Sequence, residues 1–335
     1  MGEGNTSLIE AGSTLKEYCG SENIFLKNET QNPTWSFKDR GTFICTCFAA
    51  VLNEPLTATI STGNMGNSTA AYGSRAGIKT AVFLPHYTSE EKISAIGIHG
   101  AEIFKIKTDN YSDMKNAILN RAEKLKIRVV SGNGPIRIEG YKSTAFELFE
   151  QTGGNLPDYI AVPTSACGHI RGIFKGFREL KEASIIEKMP KMIAVQSKNI
   201  NPIVAAIKNN REDIIPALNK NSIAEAITTG RPYGGREIID KIYKYGWLAE
   251  DVSEEEIIRA QKLIAEDGFF VEAASATTAA AVKQLIEMGK IKASEKVLLM
   301  LTGSGLKDLE SVKDYTYNIN KVDLDNIEEW MTADE

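Results

Sequence analysis

The stretch Asn32–Gly41 reads Asn-Pro-Thr-Trp-Ser-Phe-Lys-Asp-Arg-Gly and places a lysine at the junction of a loop and a helix. Its Asn-Pro-Thr start is a turn signal, and a helical pattern continues through Phe43 and Phe48. Lys38 is therefore predicted to present an amine that is exposed to a ligand and aimed by the helix. Taken alone, Lys-Asp-Arg in a first helical turn is more typical of a solvated charge cluster. The rest of the chain favours the functional interpretation.

Four further blocks follow this stretch, and their order carries information. They are Ser61–Asn64, Arg137–Glu147, Glu266–Ala276 and Thr302–Asp308, the last reading Thr-Gly-Ser-Gly-Leu-Lys-Asp. In residues and order the chain resembles the threonine synthases, with Trp35 in place of a glycine. The resemblance extends from Gly4 to about Asp308. It implies a pyridoxal 5'-phosphate (PLP) enzyme in which Lys38 binds the cofactor aldehyde covalently.

Composition places the chain among ordinary globular proteins. Its 335 residues are 42% hydrophobic and 25% charged, enough for two domains or one large domain with a subdomain. The net charge of −5, without a basic block, argues against a nucleic-acid partner. No apolar run approaches the roughly 18 residues of a membrane span, and the N-terminus lacks a secretory pattern. Four scattered cysteines favour a reduced, cytoplasmic protein, with Cys45 and Cys47 predicted to be small core hydrophobes.

Short β-rich runs alternate with amphipathic helical patterns, which predicts an α/β fold with mostly parallel sheets. Predicted strands are Ile24–Lys27, Thr57–Ser61, Thr80–Leu84, Glu102–Ile106, Arg128–Ser131, Tyr159–Val162, Met192–Gln196 and Lys296–Leu301. Predicted helices include Ser89–Ile98, Tyr111–Leu125, Ile170–Lys181, Glu254–Glu266 and Ser275–Met288. The resemblance implies PLP fold type II, in which a smaller α/β domain is inserted into a larger one. The expected boundaries are residues 46–128 for the small domain and residues 1–45 plus 129–335 for the large domain.

A PLP site needs an amine, an anion site for the phosphate and a partner for the pyridine nitrogen. The loop after the strand Tyr159–Val162 consists of small residues and leads into a helix, which favours backbone N–H contacts to a phosphate. The predicted phosphate residues are Ser165, Ala166, Cys167, Gly168 and His169. This loop departs from the glycine- and asparagine-rich loop of the family, and a mere tight turn is the alternative. The resemblance implies that Thr302 contacts the pyridine nitrogen and that Asn64 contacts the 3′ oxygen.

The resemblance also implies a substrate site. Ser61, Thr62 and the residues after Asn64, including Met65, are expected to hold the amino acid carboxylate, although the family commonly has a hydroxyl residue where Met65 stands. Arg137 and Lys142 are the candidates for a substrate phosphate, because an arginine fork suits phosphate and a lysine adds a point charge. On composition alone, Arg137 is more typical of an exposed loop cation.

Three functions are compatible with these residues. The leading hypothesis is a threonine synthase that converts O-phospho-L-homoserine and water to L-threonine and phosphate. A second is a paralogue acting on another amino acid, as a phosphoserine-using cysteate synthase or a threonine or serine dehydratase does. A third is a non-catalytic PLP-fold protein. A homodimer is expected from the family, and no metal is expected because His86, His99 and His169 lack ligand spacing. The acidic segment from Asp323 to Trp330 is expected to be a surface extension or an interface.

Overall fold

The computed structural model describes residues 1–108, 111–125, 127–217, 221–316 and 319, so the acidic segment from Asp323 to Trp330 lies outside the described residues. Within these ranges the chain forms two sheets. Their strands are β1 (Leu8–Glu10), β2 (Ile24–Asn28), β3 (Leu56–Ile60), β4 (Lys79–Pro85), β5 (Glu102–Ile106), β6 (Arg128–Val129), β7 (Tyr159–Pro163), β8 (Lys191–Ser197), β9 (Leu248–Val252) and β10 (Val297–Leu301).

The larger sheet has six strands in the order β1-β2-β10-β7-β8-β9. Strand β1 pairs antiparallel with β2, and the other neighbours are parallel. Every residue of the central strands β7 and β10 is buried, as expected for parallel strands with both faces covered. The sheet is thus the core of the larger part of the molecule.

The smaller sheet contains β5-β4-β3-β6, all parallel, from the chain between Leu56 and Val129. All eight predicted strands are present in the two sheets, although β6 ends at Val129 instead of Ser131. Strands β1 and β9 were not predicted. The α/β class with mostly parallel sheets is confirmed.

Helices connect the strands of both sheets. They are α1 (Ser13–Cys19), α2 (Lys38–Val51), α3 (Asn64–Ala76), α4 (Glu90–Gly97), α5 (Tyr111–Leu119), α6 (Pro135–Tyr141), α7 (Ser143–Gln151), α8 (Gly168–Glu182), α9 (Pro202–Lys208), α10 (Gly235–Tyr245), α11 (Glu254–Glu266) and α12 (Ala273–Glu287). Residues 271–282, which include most of α12, are all buried, because small alanine, serine and threonine side chains let this helix lie within the core. Helix α5 ends at Leu119 instead of the predicted Leu125.

Glycines let α2 and α6 approach each other closely. A Cβ on Gly140 would lie 2.1 Å from the carbonyl oxygen of Arg40, and one on Gly41 would lie 2.4 Å from Cγ of Arg137. Neither position has room for a larger residue. The first turn of α2, which begins with Lys38, is therefore pressed against α6.

A buried ionic cluster fixes the same turn. Arg40 donates to Glu29 at 2.7 Å and to Glu147 at 2.5 Å, and Lys27 donates to Glu147 at 3.0 Å. Burial alone would raise the pKa of Glu29, but the guanidinium of Arg40 outweighs it and lowers that pKa to about 2. The cluster joins β2, α2 and α7 next to the lysine that the sequence singles out.

Two cysteine predictions need correction. Cys45 is half-buried and Cys47 is exposed, so the pair does not lie in the core as expected. Cys45 lies one turn after Gly41 on the side of α2 that meets α6, near Arg137, whereas Cys47 is exposed on another side of the helix. Within the described ranges, no helix combines the length and the apolar character that crossing a membrane requires.

Candidate active site

The candidate site is a cleft at the carboxyl ends of β3, β7 and β10, where ligand sites of parallel sheets gather. It is lined by Phe37, Lys38, Asn64, Gly132, Pro163, Thr164, Ser165, Ala166, Cys167, Gly168, His169, Ile170, Ala226, Ile227, Glu272, Ala274 and Thr302. The structure thus brings together all the residues that the sequence predicts for the cofactor.

The backbone before Lys38 is anchored to the end of β10. The N–H of Phe37 donates to the carbonyl of Thr302 at 3.0 Å, and the N–H of Ser304 donates to the carbonyl of Trp35 at 3.0 Å. Trp35 has a left-handed φ of 61°, a conformation that a glycine adopts more easily. These contacts direct the first side chain of α2, that of Lys38, into the cleft.

The amine of Lys38 is poised to react. Its Nζ lies 4.3 Å from the ring centroid of Phe37, and among the residues that the structure describes it forms no hydrogen bond or ion pair. Burial, helped by the charges of Arg137 and Lys307 and opposed by Glu272, lowers the pKa of Lys38 to about 7. A neutral amine is the nucleophilic form, and it is well populated here near neutral pH.

The loop between β7 and α8 has the geometry of an anion site. Cys167 adopts a left-handed φ of 72° just before the 15-residue helix α8. A Cβ on Gly168 would lie 2.2 Å from the carbonyl oxygen of Gly132, so the loop packs tightly and only glycine fits. The first residues of α8, Gly168, His169 and Ile170, line the same cleft as Ser165 and Ala166, and the N–H groups of a helix start favour an anion. A helix N-terminus alone would favour a thiolate, but burial raises the pKa of Cys167 to about 12.

His169 is a buried polar group that lacks a partner. Its ring stacks on Phe37 with centroids 3.9 Å apart and meets Tyr141 edge-on at 5.5 Å. Both ring nitrogens are buried and unpartnered within the described protein. Burial, together with Lys38 and Arg40, lowers the pKa of His169 to about 3 against the pull of Glu29. A neutral imidazole with a free donor in the wall of the cleft fits a phosphate-bearing ligand.

Thr302 and Ser275 form a hydroxyl pair at the end of β10. Their oxygens lie 2.9 Å apart, and Ser275 Oγ also accepts the N–H groups of Thr302 at 2.9 Å and of Gly303 at 3.3 Å. A serine oxygen has two acceptor sites and one hydrogen, so Ser275 must donate to Thr302. The hydroxyl hydrogen of Thr302 then remains available to an acceptor in the cleft, such as a pyridine nitrogen.

Asn64 is held from both sides by residues to which the sequence assigned no role. Its Nδ2 donates to the two oxygens of Glu272 at 2.7 and 2.9 Å, and its Oδ1 accepts a hydrogen bond from Lys307. Glu272 and Lys307 belong to the blocks Glu266–Ala276 and Thr302–Asp308, so the sequence marks both segments as parts of the site without showing which side chains act there. Which of their side chains turn to the cleft is set by tertiary structure.

The residues predicted to bind the substrate lie near the cleft or behind it but are not among those that line it. Ser61, Thr62 and Met65 flank Asn64 and are half-buried, but they do not line the cleft. Arg137 lies fully buried between α2 and α6, where Nη1 donates to Thr42 at 2.9 Å while Nε and Nη2 are unpartnered. The alternative that composition alone favoured, an exposed loop cation, is wrong, because the side chain of Arg137 is buried and packs over Gly41.

Lys142 is not brought to the cleft. Its ammonium lies 2.9 Å from Glu139 and 3.0 Å from Glu179, between α6 and α8. Two carboxylates at this distance neutralise the charge that a substrate phosphate would need. Arg137 therefore remains the better placed of the two cations predicted for that phosphate.

Comparisons with known proteins agree with this geometry. Residues 1–303 match the family described as pyridoxal-phosphate dependent enzyme. The chain is 39% identical to the threonine synthase of Methanocaldococcus jannaschii over 91% of this chain and 76% of that protein. It is 33% identical to the threonine synthase of Halalkalibacterium halodurans over 98% and 90%.

Solved structures show the same fold. The processed form of threonine deaminase isoform 2 from Solanum lycopersicum superposes with a TM-score of 0.77, covering 92% of this chain and 85% of that one, at 19% identity.

The unpartnered amine of Lys38, the loop before α8 and the free hydroxyl of Thr302 fit the aldehyde, phosphate and ring nitrogen of PLP. The chain belongs to the threonine synthase family of fold type II pyridoxal-phosphate-dependent enzymes.

Proposed function

We propose that this enzyme is a threonine synthase that converts O-phospho-L-homoserine and water to L-threonine and phosphate. The observation that carries the proposal is the amine of Lys38, unpaired and with its pKa near 7, in one cleft with the loop before α8 and Thr302. Curated relatives at 33–39% identity over nearly the whole chain support the same activity.

Lys38 has the properties of the base that the reaction requires. PLP, when bound, supplies an electron sink that acidifies the proton on the substrate's α-carbon. Lys38 Nζ, with a pKa near 7, both accepts a proton from the α-carbon and returns one at neutral pH. Thr302 would hold the pyridine nitrogen through its hydroxyl hydrogen, and a neutral partner of this kind would leave that nitrogen unprotonated and so moderate the sink.

We assign the phosphate of the cofactor to Ser165, Ala166, Cys167, Gly168 and His169. Backbone N–H groups at the start of α8 and the free donor of His169 support this assignment. For the substrate we assign its carboxylate to Ser61, Thr62 and Met65 at the start of α3, and its phosphate to Arg137. Two guanidinium nitrogens of Arg137, Nε and Nη2, are unpartnered, and Nη1 donates to the carbonyl of Lys38 at 3.3 Å.

The proposal also includes the domain boundaries, the oligomeric state and the cellular location. The small domain comprises residues 46–128, which include the whole four-stranded sheet except the last residue of β6, and residues 1–45 plus 129–335 form the large domain. The family resemblance supports a homodimer. Cysteines that are all free support a cytoplasmic location.

The second candidate function is that of a paralogue that acts on a different amino acid. Met65 stands where the family commonly has a hydroxyl residue, and Lys142 is neutralised by two glutamates. Both features bear on the substrate and leave the cofactor site intact. A phosphoserine-using enzyme or a dehydratase would share Lys38 and Thr302.

Release of inorganic phosphate distinguishes these candidates. Purified holoenzyme is given O-phospho-L-homoserine, O-phospho-L-serine or L-threonine, and phosphate, threonine and 2-oxo acid are quantified. The proposal predicts phosphate and threonine in equal amounts from phosphohomoserine only, and no turnover by Lys38→Ala. Release of phosphate from phosphoserine alone, or of 2-oxo acid from threonine alone, would support the second candidate instead.

A further inference from the structure

Lys307 helps to lower the pKa of Lys38 through its charge, but no binding role has been assigned to its contacts with the cleft wall. Its Nζ donates to the carbonyl of Thr34 at 3.0 Å and to Oδ1 of Asn64. The amide of Asn64 then continues to Glu272 through Nδ2. Asn64 begins α3 beside the four-stranded sheet, whereas Lys307 follows β10 of the six-stranded sheet. The contact therefore ties the two parts of the molecule together at the cleft.

The hydrogen-bond inventory of these three groups allows one orientation of the amide. An ammonium only donates, and a carboxylate only accepts. A flipped Asn64 would place its NH₂ against Lys307 and its oxygen against Glu272, which is unfavourable on both sides. The NH₂ group has two hydrogens, and a three-centre bond to one carboxylate uses one of them. A second donor is left for the cleft that Asn64 lines.

We propose that Lys307 is a positioning residue that fixes the amide of Asn64 so that its nitrogen donates to the ring oxygen of the bound cofactor. This inference rests on the proposed function, because it assumes that PLP occupies the cleft. Lys307 reaches Asn64 with the end of its long side chain, while its backbone lies in the turn after β10. A shorter or apolar side chain leaves the amide free to turn its oxygen toward the cofactor.

Cofactor affinity and the visible spectrum test the proposal without using activity. Apoenzyme is titrated with PLP, and the dissociation constant and the absorption maximum of bound PLP are recorded for Lys307→Met, Lys307→Arg and Asn64→Ala. Lys307→Met is expected to raise the dissociation constant for PLP about tenfold, which corresponds to the loss of one hydrogen bond, and to shift the absorption maximum of bound PLP. Lys307→Arg, which can still donate to Asn64, is expected to restore most of both. Lys313→Met removes an exposed lysine from the same segment and is the matched control, with no change expected.

A double-mutant cycle separates positioning from general stability. If Lys307 acts through Asn64, Lys307→Met adds little to the loss caused by Asn64→Ala. Additive losses, or a Lys307→Met variant with wild-type affinity and spectrum, would overturn the proposal. Should Lys307→Met fail to fold, Lys307→Gln serves the same purpose, because its amide can present either an oxygen or a nitrogen to Asn64 and no longer enforces one orientation, so a smaller shift in the same direction is expected. If wild-type protein takes up no PLP at Lys38, the proposed function fails instead.

Discussion

The low pKa of Lys38 predicts how fast the apoenzyme captures PLP as pH changes. An ordinary lysine with a pKa of 10.5 has about 1 in 3,000 of its amines neutral at pH 7, whereas a pKa of about 7 leaves about half neutral. The site therefore raises the reactive fraction roughly a thousandfold. Because the neutral form attacks, the capture rate is expected to rise with pH, with a midpoint near 7, and to level off above about 8.

Stopped-flow absorbance after mixing apoenzyme with PLP at pH 5.5–9.5 measures this rate. Glu272→Gln supplies the matched perturbation: its carboxylate raises the pKa of Lys38, so removing the charge should move the midpoint to lower pH. Changing the exposed Lys313 to Met should move nothing. A capture rate that is still climbing steeply at pH 9.5, as for an ordinary lysine, would refute the reasoning.

Three further predictions concern stability and the cofactor ring. Gly140→Ala places a Cβ 2.1 Å from the carbonyl oxygen of Arg40 and should lower the free energy of unfolding in urea by about 1–3 kcal/mol. The control Gly97→Ala, whose Cβ has its nearest atom at 3.4 Å, should not lower it. Equal effects of the two changes would contradict the close crossing of α2 and α6. Arg40→Met leaves Glu29 buried without its partner and should cost about 3–5 kcal/mol at pH 7. Because Arg40 holds the pKa of Glu29 at about 2 in the folded protein, the ionised Glu29 stabilises the fold above pH 4.5, and this contribution is lost as the pH falls toward 2. In Arg40→Met the free energy of unfolding should no longer show this dependence on pH. Thr302→Val should lower kcat about tenfold or more while Thr302→Ser keeps most of it, and equal kcat values in steady-state assays would exclude a hydroxyl role.

Much of the fold could be predicted because the strands of its two sheets are short apolar runs. The exceptions have physical reasons. Strand β1 has only three residues, too few to show a period. Strand β9 contains Glu250 and Asp251, which are buried because Lys208 pairs with both at 2.9 and 2.7 Å. A charged pair in sequence is typical of a loop, and the compensating lysine lies far away in the chain.

The candidate site divides in the same way. Lys38, Thr302 and the loop before α8 could be found, because each follows a turn or a strand end that the sequence marks. Arg137 could not be placed, since glycines at 41 and 140 draw α2 and α6 together over it. Lys307 was missed because a lysine after a strand is usually solvated, and its partner Asn64 is 243 residues away.

The position of the covalent bond to PLP tests the central claim most directly. Holoenzyme is reduced with borohydride and digested, and the pyridoxyl label is located by mass spectrometry. The account predicts a single labelled peptide that contains Lys38, and no label in Lys38→Ala. Label on Lys307 or another lysine, or none in the wild-type protein, would contradict it.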